Sequence, residues 1–105
     1  MAWIYLGIAG LLEVLWAYSM KKSDGFTLLG PSIITVVGAV ASVVVLGVAM
    51  KSLPLGTAYG VWTGIGAVGA FLLGIFVLGE PATPLRLIAA TLIVTGLVLM
   101  KLASE

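Results

Sequence analysis

Four long apolar stretches divide the chain, and they constrain its fold more than any other feature. They run over about 2–20, 29–50, 56–78 and 84–103, and each approaches the length of a membrane span. At about 1.5 Å rise per residue the first is about 28 Å long as a helix, close to the thickness of a bilayer's hydrocarbon core. A buried soluble bundle would need polar outer faces, and none of the stretches has one. Only 9% of the residues are charged, against about 25% in a soluble domain. The sequence therefore predicts an all-α integral membrane protein.

Short polar segments separate the four predicted helices. They lie at residues 21–25, 51–54 and 79–81, and Thr83 before Pro84 resembles an N-cap with proline at the first helical position. Connections this short make sequential helices antiparallel neighbours. We therefore expect one four-helix transmembrane domain over 1–105. A cleaved signal peptide is not expected, because no basic segment precedes the first apolar run and a carboxylate interrupts it.

Missing residue types exclude several classes of function. The chain has no Cys and no His, so disulfides, thiol chemistry and Cys-based metal sites are excluded. With no nucleophile–base pair, metal cluster or phosphate-binding loop, we predict no catalytic residues, no cofactor and no enzymatic activity. The net charge of +1 comes without a basic patch, and nucleic acid is not an expected partner.

The basic residues are almost evenly divided between the two membrane faces. Lys21, Lys22 and Arg86 would lie on one face, and Lys51, Lys101 and the N-terminal amine on the other. Most membrane proteins place an excess of Lys and Arg on the cytoplasmic side. Either other signals override a weak bias, or the chain inserts in both orientations. Opposed copies would then pair around an axis in the membrane plane, like the inverted repeats of many transporters.

Glu13 is the one charged residue that lies deep in a predicted span. A charge at the bilayer centre costs roughly 2.5–3.5 kcal/mol on insertion scales and indicates a functional site by default. The alternative is a protonated side chain that only hydrogen-bonds a neighbouring helix. Gly10, Trp16 and Ala17 share its helical face, and Trp16 offers an indole N–H donor. On the second helix, Ser42 is the hydroxyl expected to meet Glu13, unless it bonds to its own helix.

The third predicted helix has two stripes of small residues on nearly opposite sides. Such stripes favour close helix packing, and they consist of Gly56, Gly60 and Gly64, and of Gly66, Ala70 and Gly74. A bend near residues 64–66 would bring both stripes into use, and glycine pairs favour such kinks. We predict a hinge there, with a straight helix packed on both sides as the alternative. The fourth helix has no ionisable group inside and is predicted to serve packing or dimerisation.

The sign of the deep charge predicts the class of solute. A buried carboxylate without an intramembrane Lys or Arg can hold a proton or a cation, but not comfortably both, which is the physical basis of proton/cation antiport. Guanidinium presents planar, fork-like donors that match a carboxylate bidentately. Trp16, Tyr59 and Trp62 can line such a site through cation–π contacts, although Tyr59 also suits the membrane interface. These residues alone leave planar and bulky cations both open.

Over essentially its full length the chain resembles the small multidrug resistance family. The resemblance rests on four short helices, on Glu13 in the first, and on the runs YGVW at 59–62 and GIG at 64–66. Gly10, Trp16 and Ser42 are similar to the guanidinium-exporter subtype, whereas quaternary-ammonium exporters usually have a small residue at the position of Trp16. The resemblance implies an antiparallel, dual-topology homodimer that exchanges protons for cations. Its expected location is the inner membrane of a prokaryote.

The same resemblance implies a role for each candidate residue. Glu13 would bind the proton or the guanidinium ion, within a shell formed by Gly10, Trp16, Ser42, Tyr59 and Trp62. The implied partners are guanidinium or a related small cation, protons, membrane lipid and a second, oppositely oriented copy. Two alternatives stay open: a multidrug exporter of quaternary ammonium or aromatic cations, and a non-transporting assembly subunit in which Glu13 joins helices.

Overall fold

Four α-helices form the regular secondary structure of this protein in a computed structural model that describes residues 1–103. They are α1 (Ala2–Lys22), α2 (Leu29–Ala49), α3 (Leu55–Phe76) and α4 (Pro84–Ala103). All four are long and apolar enough to cross a membrane. The prediction of an all-helical chain with four membrane-spanning helices is thus confirmed. The largest differences from the predicted ends are at α1, which continues two residues further, and at α3, which ends two residues earlier.

Helix α1 lies between α2 and α3, and glycines set these close contacts. A Cβ atom at Gly38 of α2 would lie 3.0 Å from the Trp16 Cβ, and one at Gly10 of α1 would lie 2.8 Å from the Ile65 Cβ. Both distances are shorter than ordinary carbon–carbon contacts of about 3.5–4.0 Å. The absence of a side chain therefore brings the three backbones close together around the middle of α1.

The buried core lies toward one end of the bundle. It is formed by the start of α1, the end of α2 and the start of α3, in a cluster of Leu6, Ala9, Leu46, Ala49, Ala58, Val61 and Trp62. Toward the other end, α1 and α3 separate around a cavity of about 320 Å³ that is lined in part by Ala17 and Ala70. The bundle is therefore closed near the α2–α3 connection and open near the α3–α4 connection.

Helix α4 is peripheral. It contacts α3, and none of its residues is buried. Gly64 of α3 makes this contact close, since a Cβ atom there would lie 3.0 Å from the Leu97 Cγ. The Cα atoms of the chain fill an envelope of 42 × 34 × 16 Å, so the helices form a thin layer with α4 at its edge.

The α3–α4 connection begins with a backbone turn that fixes Glu80. Gly79 adopts a φ of +71°, a conformation that costs glycine little. The amide of Leu78 donates to the carbonyl of Leu73 (3.2 Å), and that of Glu80 donates to the carbonyl of Gly74 (2.8 Å). These bonds close the carbonyl end of α3 in the manner of a glycine C-cap, which explains why the helix ends before residue 78.

Candidate functional site

Glu13 lies at the middle of α1, as the twelfth of its 21 residues. Its side chain lies against Gly66 of α3, where an added Cβ atom would stand 2.8 Å from the Glu13 Cγ and closer still to the carboxyl group. Gly66 is itself buried. Only glycine at position 66 leaves room for the carboxyl group in this place.

Two buried polar atoms near this contact have no hydrogen-bond partner. They are the Glu13 Oε1, which is an acceptor when ionised, and the Trp16 Nε1, which is a donor. The two residues are three apart on α1 and therefore share one face. Buried polar atoms of proteins are nearly always hydrogen-bonded, so these two atoms are candidates for contact with a ligand or a second chain.

Ser42 of α2 links three helices and bonds to α1 one turn before Glu13. It is fully buried, its hydroxyl donates to the Ala9 carbonyl of α1 (2.7 Å), and it accepts from the Trp62 Nε1 of α3 (3.0 Å). A hydroxyl has one proton to donate. The sequence predicts that Ser42 meets Glu13, or else that it bonds to its own helix. In the structure its proton goes to the Ala9 carbonyl of α1 instead.

The aromatic residues of α3 lie beside this hydrogen bond. The ring centroids of Tyr59 and Trp62 are 5.5 Å apart at an interplanar angle of 53°. Trp62 is buried, whereas 53% of Tyr59 is exposed. Because Ser42 already accepts the Trp62 N–H, Trp62 has its ring and not its donor available to a ligand.

The glycines of the predicted hinge contact different neighbours. A Cβ atom at Gly60 would lie 3.8 Å from the Met100 Cε, and Gly64 packs on Leu97, so both face α4, whereas Gly66 faces α1. Helix α3 is continuous over Leu55–Phe76. Within one uninterrupted helix, Gly64 thus packs on α4 and Gly66 packs on α1, and a hinge at residues 64–66 stays a prediction.

The structure also brings together residues that have no functional role predicted from the sequence. Glu80 and Arg86 form an ion pair (3.3 Å) at the mouth of the open end of the bundle. A cavity of about 320 Å³ lies beside them, lined by Ala17, Tyr18, Lys21, Ala67, Ala70, Phe71, Leu73, Leu78, Glu80 and Arg86. Within residues 1–103, no group of three or more Asp, Glu, His or Cys side chains is placed to bind a metal ion.

Comparison with known proteins identifies the family. The family model described as "Small Multidrug Resistance protein" matches residues 1–103. The chain belongs to the Small Multidrug Resistance family. A protein of Yersinia pseudotuberculosis named "Guanidinium exporter" is 61% identical over 104 residues, which cover 99% of this chain and all of the relative. Proteins of the same name from Escherichia coli K12 and Citrobacter freundii are 57% and 56% identical over the full length of both chains.

Membership of this family fits the four apolar helices. Exporters that share more than half of their residues with this chain over its whole length indicate that it is a membrane transporter and not an enzyme. The recognition of the family and of its guanidinium-exporter relatives from the sequence is thus confirmed.

Proposed function

We propose that this protein exports guanidinium ion and small substituted guanidines in exchange for protons. The observation on which this rests is the buried, unpaired Glu13 Oε1 at the middle of a membrane span. A cation that donates hydrogen bonds satisfies this acceptor, and so does a proton. The relatives named guanidinium exporters support guanidinium as the cation.

The residues around Glu13 fit a small planar cation better than a bulky one. Trp16 lies against Gly38 of α2 and shares a face of α1 with Glu13. A large side chain at this position leaves less room beside Glu13 than a small one would. Guanidinium needs only a carboxylate for its donor fork and rings for its faces. Trp16, Tyr59 and Trp62 are the rings that we assign to this role.

Proton and guanidinium transport are coupled because the two ions compete for the carboxyl group of Glu13. The ionised Glu13 attracts a cation, whereas the protonated form is neutral and attracts none. Each time the site opens to a side of the membrane, it can exchange one occupant for the other. Protons entering the cell then drive guanidinium out, across the inner membrane of a bacterial cell.

We further propose that the functional unit is an antiparallel homodimer. Helix α4 has no buried residue, and a chain whose Cα atoms form a layer 16 Å thick encloses little space for a solute pathway. Nearly equal numbers of basic residues on the two faces permit insertion in both orientations. Two opposed copies would place two Glu13 side chains in one site and bury surface that the single chain leaves open.

Transport by purified protein in liposomes tests the proposed activity. An inward-directed proton gradient should drive guanidinium out of the vesicles. Glu13→Gln should abolish coupled transport, whereas Asp24→Asn, which removes a carboxylate from the α1–α2 connection, should retain it. Coupled guanidinium transport by Glu13→Gln would refute the assignment.

Two further measurements separate the alternatives. Competition between guanidinium and a tetraphenyl cation tests for a multidrug exporter, which would bind the bulky ion more tightly. Proton release on adding guanidinium to detergent-solubilised protein tests for an assembly subunit, which would release none.

The orientation of the chain in the membrane is tested by a single thiol introduced as Lys22→Cys. If the chain inserts both ways, this thiol should be labelled in about half of the copies from each side. Labelling from one side only would contradict dual topology.

A further inference from the structure

The cavity at the open end of the bundle begins one helical turn from Glu13. Ala17 of α1, which lines it, follows Glu13 by one turn, and Ala67 of α3 follows Gly66, on which Glu13 lies. The cavity then continues past Ala70 to Glu80 at the start of the α3–α4 connection. An open space with small side chains thus extends from the surroundings of the central carboxylate to a second carboxylate at the membrane surface.

The carboxyl groups of Glu13 and Glu80 each lie against a glycine of α3. A Cβ atom at Gly74 would lie 2.8 Å from the Glu80 Cδ, as a Cβ atom at Gly66 would lie 2.8 Å from the Glu13 Cγ. Gly66 and Gly74 are two turns apart in one stripe, about 12 Å along the helix, with Ala70 between them. The two glycines at the ends of this predicted packing stripe therefore each accommodate an acidic side chain.

The outer carboxylate already holds a guanidinium group, that of Arg86. Its Nη2 is 3.3 Å from the Glu80 Oε1, its Nη1 donates to the Pro81 carbonyl (3.0 Å), and its Cζ lies 5.3 Å from the centroid of the Phe71 ring. A carboxylate, a carbonyl and an aromatic face are the three kinds of group that bind a free guanidinium ion. The Arg86 side chain thus shows, in this protein's own structure, that the place accepts such an ion.

A free guanidinium ion can displace the Arg86 side chain from Glu80. The side chains of Arg86 and Glu80 are 37% and 39% exposed, and exposed ion pairs are weak because water solvates both partners. The cavity beside them has a volume of about 320 Å³, which leaves room for a second occupant. Lys21 also lines it, and its positive charge keeps binding of a cation weaker there than at Glu13.

We propose, building on the function proposed above, that Glu80, Phe71 and the Pro81 carbonyl form an outer guanidinium-binding site in which the transported ion displaces the Arg86 side chain on its way to or from Glu13. Guanidinium released from Glu13 toward this face moves along Ala70 and is held by Glu80 before it enters water. Arg86 then returns to Glu80 and closes the site.

Nuclear magnetic resonance of the full-length protein in detergent micelles tests this site with guanidinium chloride as the probe. In a Glu13→Gln background, where the central site is disabled, guanidinium should produce saturable shifts of the Ala70, Phe71 and Gly74 amides. Sodium chloride at equal ionic strength should not. Adding Arg86→Gln should tighten this binding by about two- to fivefold, the factor that an exposed ion pair contributes. Lys51→Gln, which removes a positive charge from the other membrane face, should leave it unchanged.

Glu80→Gln in the Glu13→Gln background should abolish the saturable shifts. Their persistence in that variant, or their absence from the Arg86→Gln variant in which no side chain competes, would overturn the outer site. Should Arg86→Gln fail to fold, Arg86→Lys retains the charge but loses the planar fork, and it should also tighten guanidinium binding. In liposomes, Glu80→Gln alone should raise the guanidinium KM several-fold and change the maximal rate little.

The central site is measured separately by quenching of tryptophan fluorescence in a Trp3→Phe variant with Glu13 intact, in which Trp16 and Trp62 are the remaining tryptophans. No guanidinium binding there would refute the proposed function. Binding there without saturable shifts at the outer site would refute the outer site alone.

Discussion

Gly66→Ala tests whether the position of the Glu13 carboxyl group sets the affinity for guanidinium. The added Cβ atom would lie 2.8 Å from the Glu13 Cγ and closer to the carboxyl atoms, where carbon atoms in contact are about 3.5–4.0 Å apart. The side chain must therefore move by about 1 Å. That displacement removes the carboxylate from bidentate alignment and loses one charge-assisted hydrogen bond, worth about 1.5–3 kcal/mol or about 10- to 150-fold in Kd.

The fold should tolerate this change. Glu13 is a flexible side chain that can rotate away, and alanine favours a helix interior by about 1 kcal/mol over glycine. Unfolding of Gly66→Ala in detergent should therefore occur at a temperature close to that of the wild type. Weaker guanidinium binding, measured by calorimetry or tryptophan quenching, would then report on the carboxyl group and not on lost structure.

Two glycines of the same helix provide matched controls. A Cβ atom at Gly60 would meet only the Met100 Cε at 3.8 Å, an ordinary contact, and one at Gly56 would meet nothing within 4 Å. Gly60→Ala and Gly56→Ala should bind guanidinium within about twofold of the wild type, since surface-like changes are worth less than about 0.5 kcal/mol. If Gly66→Ala binds guanidinium as tightly as these controls, the inferred dependence on the Glu13 position is wrong.

Three further predictions concern packing, the buried hydroxyl and pH. Gly64→Ala should destabilise the α3–α4 contact by about 1–3 kcal/mol through overpacking against Leu97; thermal unfolding should show the loss, and Gly96→Ala, which has open space, should not. Ser42→Ala should lower stability by about 1–3 kcal/mol because it leaves the buried Trp62 indole N–H unpaired and removes the Ser42 hydrogen bond to the Ala9 carbonyl; unfolding at the wild-type temperature would argue against this. Guanidinium affinity should fall as pH is lowered, by at most about tenfold per pH unit for each Glu13, because the proton neutralises the carboxylate that attracts the cation; a pH-independent Kd would contradict competition.

The helices and the central acid could be predicted because their signals are local. An apolar stretch of about 20 residues is sufficient to indicate a span, and a carboxylate at its middle is conspicuous by itself. The small-residue stripes were likewise visible as packing faces. Spacing along one helix does not reveal which neighbour each face meets, because that depends on the register between helices.

Ser42 and Gly66 illustrate this limit. Ser42 was a reasonable partner for Glu13 as judged by residue type, yet its acceptor is the main-chain carbonyl of Ala9, and every residue has a carbonyl. The sequence assigns Gly66 to a predicted hinge and gives no sign of its contact with Glu13, which the structure shows. Neither relation is encoded in composition or periodicity; both follow from how α1 is placed between α2 and α3.

The hydrogen-bonding needs of the site indicate what a second chain would contribute. Guanidinium has donors and no acceptor, so it satisfies the Glu13 Oε1 but leaves the Trp16 N–H unpaired. A carboxylate oxygen can accept that N–H, from Glu13 of the same chain or from its copy in an opposed one. In the proposed dimer two carboxylates supply several acceptor positions, enough for one planar cation and for both indole donors at once.

The proton-loaded dimer differs in its hydrogen bonding. When protons replace the cation, each carboxyl group becomes a donor itself and offers fewer acceptors to the indoles. The number of acceptors available to Trp16 therefore differs between the two loaded states, and this gives the site a physical means of sensing which ion it holds.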